Sequence, residues 1–325
     1  MTQKRDYSTI LFTPEEIGNQ TAEYLRWRKE NIGLGVKIGL NSLDNDDTEG
    51  RSFLPLMPGE LMGLIARPGN GKTGFMVRWA RERSNYLRAQ KIENRVIVYI
   101  TLEQSIEELN AFNLAADRRL SITKMAKGQI TDDEWKTCLE ESIGRRFLPL
   151  WNIGYSTITD KKQIRVDMDA INGALELIQS EHGKTIDIVF VDYLQRIPFN
   201  HAESKTIGVS DNVDSLKTMA LRLKCPGVMG VQARREVDEL KPPIPSMDDG
   251  QWTSNIEQTC DRVMSLVRPK NYRNEGELFG STTVRGHTQM LASILKQKLG
   301  PANYAKWVFF DPIYNKLDEL ESRYE

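Results

Sequence analysis

Residues 61–73 read Leu61-Met62-Gly63-Leu64-Ile65-Ala66-Arg67-Pro68-Gly69-Asn70-Gly71-Lys72-Thr73. Leu61–Ala66 is a short, nearly continuous apolar run, as expected for a strand buried on both faces of a sheet. Thr73–Leu87 follows with a helical pattern carrying Phe75, Met76, Trp79 and Arg83. A buried strand, a Gly-rich turn ending in Gly-Lys-Thr and a helix form the setting of a phosphate loop. Gly69 and Gly71 let backbone N–H groups converge on an anion, and the helix start adds partial positive charge. Arg67, Pro68, Gly69, Asn70, Gly71, Lys72 and Thr73 are therefore the expected nucleotide cradle. Lys72 would reach the β- and γ-phosphates of ATP, and the Thr73 hydroxyl would ligate Mg²⁺. Ala66 stands where the strict pattern has its first glycine. The plainer reading, a Gly-rich turn without a ligand, is outweighed by the strand, Gly-Lys-Thr and helix occurring together.

Outward from this stretch, two carboxylates end apolar runs. Ile186–Val191 is a third buried strand, and Asp192 follows it, placed to hold Mg²⁺ through water. Arg95–Thr101 is a second buried strand, and Glu103 lies just past it at the same edge of the sheet. Ligands of open α/β sheets bind outside the carboxyl ends of the strands, where a carboxylate can orient an attacking water. Taken alone, Glu103 reads more readily as the acid that opens a helix than as a catalytic group.

The remainder alternates strand and helix. Helices are expected at Pro14–Glu30, Ser105–Arg118, Thr131–Ser142, Ile164–His182 and Asp211–Leu223, with capping acids in the first turns of several. Gly227–Val231 is a fourth strand candidate, Val36–Leu40 a short one. Arg262–Val267, Met290–Lys298 and Lys306–Asp311 are shorter strands near the end. This alternation indicates an α/β fold with a mostly parallel twisted sheet covered by helices on both faces. Length alone suggests about two domains, but the order of the motifs favours residues 1–35 as a helical arm and linker and residues 36–325 as one ATPase domain. In the arm, Tyr24 and Trp27 are costly to leave in water, so it reads either as a surface helix or as an element that packs on a neighbouring subunit.

The chain has 325 residues, 44 Lys and Arg against 45 Asp and Glu, and a formal charge of −1. That balance excludes a protein that coats nucleic acid by bulk charge, though not a local basic patch. Cys138, Cys225 and Cys260 are widely spaced, and no Cys-x-x-Cys or His pair supports zinc or a disulfide framework. No apolar run approaches a membrane span, so a cytoplasmic protein with no membrane partner is expected.

Taken in order, Ala66–Thr73, Thr101-Leu102-Glu103-Gln104-Ser105 and Val189-Phe190-Val191-Asp192-Tyr193-Leu194-Gln195-Arg196-Ile197 resemble the RecA-like P-loop ATPase domain of DnaB-type replicative helicases. Gly128–Trp135, Ser215–Ala220, Val231-Gln232-Ala233-Arg234-Arg235, Ile256-Glu257-Gln258-Thr259-Cys260-Asp261 and Lys296-Gln297-Lys298-Leu299-Gly300-Pro301 match further stretches of that family in the same order. The resemblance covers about residues 14–320.

It implies an ATP-driven, ring-forming DNA helicase or translocase, a homo-oligomer of hexameric type acting on single-stranded DNA in replication. By this resemblance Glu103 would be the catalytic base and Lys72 the phosphate-binding lysine. Thr73 and Asp192 would hold Mg²⁺, and Gln232 would sense the γ-phosphate. Lys296 and Lys298 would reach into the neighbouring subunit's nucleotide. Arg234, Arg235, Gln251 and Trp252 would meet DNA. The sequence departs from the family in two places. Lys298 stands for an arginine finger, giving a point charge without the planar fork. The loop Asp248–Ser254 carries Gln251 and Ser254 in place of an arginine and a glycine. Trp252 reads equally as a stacking or a packing residue. The family's N-terminal collar is not found before the arm, which leaves room for an accessory or loader protein. A second reading is a RecA-like switch or assembly factor that does not unwind. A third is a recombinase of the same fold, against which Lys296–Pro301 and Ile256–Asp261 argue.

Overall fold

The computed structural model describes residues 11–145, 147–159, 164–199, 204–251 and 255–320. Its centre is a nine-stranded sheet. Six strands are parallel: β1 (Leu61–Ala66), β2 (Arg95–Thr101), β3 (Leu150–Ile153), β4 (Thr185–Asp192), β5 (Gly227–Gln232) and β6 (Arg262–Val267). They lie in the order β3-β2-β4-β5-β1-β6. A short hairpin of β7 (Leu278–Phe279) and β8 (Thr282–Thr283) precedes β9 (Gln289–Gln297). β9, β10 (Tyr304–Asp311) and β11 (Lys316–Glu319) then extend the sheet beyond β6 as antiparallel strands.

All six residues of β1 are buried. Its side chains alternate, as a strand's must. Met62, Leu64 and Ala66 join the core on one face, Leu61 and Ile65 the core on the other. The first face is covered by α3 (Lys72–Ala89), whose fully buried Trp79 meets Phe53, Phe75 and Phe190 edge-on, with centroids 5.7–6.3 Å apart. The Trp79 indole N–H donates to Lys37 O at 2.7 Å. The second face is covered by α7 (Met168–Ser180) and α8 (Lys205–Leu223). A buried ion pair of Arg83 with Asp187, 2.6 Å, joins α3 to β4, and Arg95 reaches the same carboxylate at 3.1 Å.

α1 (Pro14–Glu30) matches the expected helix end to end and is opened by a reciprocal Thr13–Glu16 capping box. None of its residues is buried. α4 (Ile106–Arg118) is capped by Ser105 and Glu108, and α6 (Asp132–Arg145) by Thr131 and Glu134. Three expectations need correction. Val36–Leu40 is not a strand. Only Val36 bridges to Leu56, and residues 38–40 wrap their N–H groups around the Asp44 carboxylate of the short α2 (Asn41–Asp44). α7 starts at Met168 instead of Ile164, because Asp167 accepts from Ala170 N and caps it there. α8 starts earlier than Asp211, at Lys205, capped by Ser204. β3, β11 and α5 (Ile122–Ala126) are additions to the expected elements, being four or five residues long with little periodicity of their own. No described helix is long and apolar enough to cross a membrane.

Candidate nucleotide site and its attached loop

The carboxyl ends of β1, β2, β4 and β5 meet at a cleft of ≈ 350 Å³. At its floor the 67–71 turn feeds α3. Gly69 and Gly71 have φ of +78° and +84°, a region that favours glycine. A side chain at Gly71 would also come within 2.4 Å of Met290 Cε. Asn70, only 1% exposed, anchors the turn from behind. Its Oδ1 accepts from Arg268 N (2.7 Å) and Asn271 Nδ2 (3.1 Å), and its Nδ2 donates to the Tyr272 hydroxyl (3.1 Å). Asn70 thus shapes the loop, with its side chain turned to its own protein.

Lys72, Thr73 and Asp192 lie together. Asp192 is 3% exposed. Its Oδ2 accepts from Thr73 Oγ1 at 2.6 Å and from the Tyr99 hydroxyl at 3.0 Å. Its Oδ1 is buried and finds no hydrogen-bond donor among the described residues. Lys72 Nζ stands 3.9 Å from that oxygen and 3.8 Å from the centre of the Tyr193 ring. Burial lowers the Lys72 ammonium's pKa from its ordinary value, against the opposing pull of Asp192 and Glu103. Burial also raises the Tyr99 phenol well above its ordinary value, so it donates to Asp192 as a neutral group. An orphaned carboxylate oxygen in so buried a place is costly unless a cation or proton meets it. The Thr73 hydroxyl and the Asp192 carboxylate are the hard oxygen donors that suit Mg²⁺, which keeps most of its waters. The residues present fit that ion.

Glu103 is exposed at the end of β2 and lines the same cleft. Its turn is held by Thr101 Oγ1 on Gln104 O (2.7 Å) and by the Tyr155 hydroxyl on Glu103 O (3.0 Å). Gln232, at the end of β5, lines the cleft as well. Gln195 clamps its backbone, accepting from Gln232 N at 3.0 Å and donating to Gln232 O at 3.2 Å. The Gln195 amide reaches Gln251 O too, at 3.1 Å.

Beyond Gln232 the chain forms a loop closed at its base. Ala233 bridges to Gly250, and Gln251 N donates to Gln232 O at 2.9 Å. Arg234 is half exposed and donates to Asp249 Oδ1 at 2.7 Å. Burial pushes Asp249 up, but hydrogen bonds from Ser246 and Arg234 outweigh it and hold the acid low. Arg235 is exposed on the same loop. Trp252 lies outside the described residues. Arg67 lines the cleft, yet its guanidinium is tied to Asp238 and to Ala233 O.

Lys296 and Lys298 are not brought to this cleft. Gln297 pairs with Arg262 at the start of β6, so both lysines lie at the opposite edge of the parallel sheet. There Lys296 donates to Glu257 O at 2.6 Å, and Lys298, 61% exposed, stands 3.5 Å from Asp261. The cleft also uses residues that no motif singles out by role. Tyr193 and Gln195 sit inside the Val189–Ile197 stretch and could have been suspected from it. Tyr99, Arg268 and Tyr272 have no local signal, since they reach the site only through strand order.

The model of the DnaB-like helicase C-terminal domain matches residues 35–318. The chain is 27% identical over 326 residues to the replicative DNA helicase DnaB of Geobacillus stearothermophilus, covering 99% of this chain and 65% of that protein. It is 25% identical to the replicative DNA helicase DnaC of Bacillus subtilis, covering 93% and 60%. It is 24% identical to the DnaB of Rickettsia prowazekii, covering 89% and 59%. The chain thus spans about three fifths of the length of these relatives. Among solved structures it is similar to an isolated ATPase domain, with a TM-score of 0.73 at 20% identity over 92% of this chain and 98% of that one. A DnaB-like replicative helicase studied for its interactions with primase gives 0.68 at 20% identity, over 82% and 58%. The fold is the RecA-like ATPase fold, and with residues 35–318 under the family model the chain belongs to the DnaB-like helicase C-terminal domain family.

Proposed function

We propose that residues 36–325 are the motor of an ATP-dependent DNA helicase that works as a homo-oligomeric ring, of hexameric type, on single-stranded DNA in replication. In this reading residues 1–35 are its helical arm, and the setting is cytoplasmic. The observation that carries the proposal is a separation. Lys72, Thr73, Asp192, Glu103 and Gln232 surround one cleft, while Lys296 and Lys298 lie on the opposite edge of the same sheet. One chain therefore holds the attacking half of a hydrolytic site, and in this reading Lys296 and Lys298 would steady the transferring phosphoryl group of another copy's nucleotide.

In the reaction the 67–73 turn and Lys72 bind the triphosphate, and Thr73 and Asp192 would hold Mg²⁺. When bound, that ion neutralises charge on the β- and γ-phosphates. Glu103 orients a water toward the γ-phosphorus and takes its proton as the bond to the β-γ bridging oxygen breaks, leaving ADP and inorganic phosphate. Gln232 is placed to feel the γ-phosphate, and its backbone continues into the loop bearing Arg234, Arg235, Gln251 and Trp252, the proposed DNA contacts. Clamping by Gln195 ties both ends of that loop to the segment after β4, next to Asp192.

The test is ATP turnover with and without single-stranded DNA, together with displacement of a forked duplex. Stimulated turnover and displacement, both reduced by roughly 10²-fold or more in Lys72→Ala, are expected. Turnover indifferent to nucleic acid, without displacement, would sink the helicase reading and leave a RecA-like switch or assembly factor.

A further inference from the structure

The phosphate loop is joined to the 233–251 loop by more than Gln232. Arg67 Nε lies 3.1 Å from both Asp238 oxygens, and Arg67 Nη2 lies 2.9 Å from Oδ2. Arg67 Nη1 donates to Ala233 O at 3.1 Å. One guanidinium thus holds the start of the loop by its backbone and the 235–239 turn by a two-oxygen grip. Such a planar fork fixes direction as well as distance, which an ammonium would not. The far end of the phosphate loop is anchored separately, Asn70 Nδ2 donating to the Tyr272 hydroxyl at 3.1 Å. The Arg67 side chain is 15% exposed and that of Asp238 43%, so water and salt reach the pair from the Asp238 side.

We propose that Asp238 is a positioning residue which, through Arg67, makes the placement of the 233–251 loop depend on what the phosphate loop holds. When phosphates draw the backbone of residues 67–71 toward them, Arg67 carries Asp238 and the flanking Arg234 and Arg235 with it. This route is separate from the γ-phosphate contact of Gln232 and rests on the nucleotide-binding reading above.

The experiment is hydrogen exchange of residues 233–251 in the full chain, with and without ATPγS and Mg²⁺. A fluorescent ATP analogue is titrated in the same samples. Wild type should show a change in exchange on adding nucleotide. In Asp238→Asn, a neutral near-isostere, that change should shrink by about fivefold or more. Nucleotide affinity and DNA-free turnover should stay within about twofold, and Asp238→Glu should restore the response. An equal exchange response in Asp238→Asn, or none in wild type that binds nucleotide, overturns the coupling alone. Absence of nucleotide binding in wild type overturns the nucleotide site and the coupling with it.

Discussion

The two most deeply buried thiols show what a side chain gains or loses from its surroundings. Cys225 and Cys260 are each 1% exposed, and burial pushes both thiols up to about 12. Only the thiolate attacks an electrophile, so these are inert positions in the folded chain. At pH 8, iodoacetamide should leave both unmodified in the native protein and label them after unfolding; rapid labelling of either in the native state would contradict the packing. The pH dependence has a definite sign. A thiol whose folded pKa lies above its unfolded value of 9.0 stabilises the fold below pH 9 and loses that contribution as pH climbs toward 12. Residue-level chemistry is unevenly legible in the sequence. Lys72 and Thr73 stand out because they open α3, and Asp192 because it ends β4, whereas Glu103, two residues past β2, stands out only beside the phosphate loop. Arg67 belongs to the expected cradle, but its grip on Asp238, 171 positions away, cannot be seen before β1 and β5 are neighbours.

At the scale of elements, α3 has two tasks, and one helix joins them. Its first turn carries Lys72 and Thr73, and two turns on Trp79 seats the helix against β4 through Phe190 and against the 36–40 segment through Lys37 O. Trp79→Ala should cost about 3–5 kcal/mol, the range for truncating a large buried aromatic. It also strands Lys37 O. Urea unfolding with an unchanged slope would report that loss as a lower midpoint. A midpoint within error of wild type would show that the helix is held chiefly by Arg83 and Asp187. The strands are the readable elements: β1, β2 and β6 fall where the apolar runs place them, since a strand covered on both faces has no polar alternation to blur its ends. β3 and β11 are invisible for the opposite reason. They are four-residue edge strands, and only pairing defines them.

For the whole molecule, the separation of Glu103 and Lys72 from Lys296 and Lys298 makes a claim about assembly that a mixing experiment can decide. Lys72→Ala removes the charge proposed to bind phosphate but leaves both far-edge lysines in place. Lys298→Ala removes a far-edge charge but leaves the cleft intact, because Lys298 pairs with Asp261 and does not line the cleft. Each variant alone should turn over ATP slowly. If the sites are shared between copies, a one-to-one mixture allowed to exchange subunits contains interfaces in which an intact cleft faces an intact Lys298. In random rings that is about a quarter of all interfaces, since a heterologous contact needs one residue from each side. The mixture should therefore recover a substantial part of wild-type turnover. Recovery should fail if each chain uses its own lysines, because no subunit in the mixture carries both. α1 bears on the same outcome. Its 17 residues are all outside the core, and Ile17, Tyr24 and Leu25, which share one side of the helix, are between 45% and 60% exposed. If that apolar face docks on the adjacent copy, deleting residues 1–30 should abolish recovery in the mixture while leaving the nucleotide affinity of the isolated chain nearly unchanged. Recovery undiminished by the deletion would place the contacts that build the ring in residues 31–325 alone.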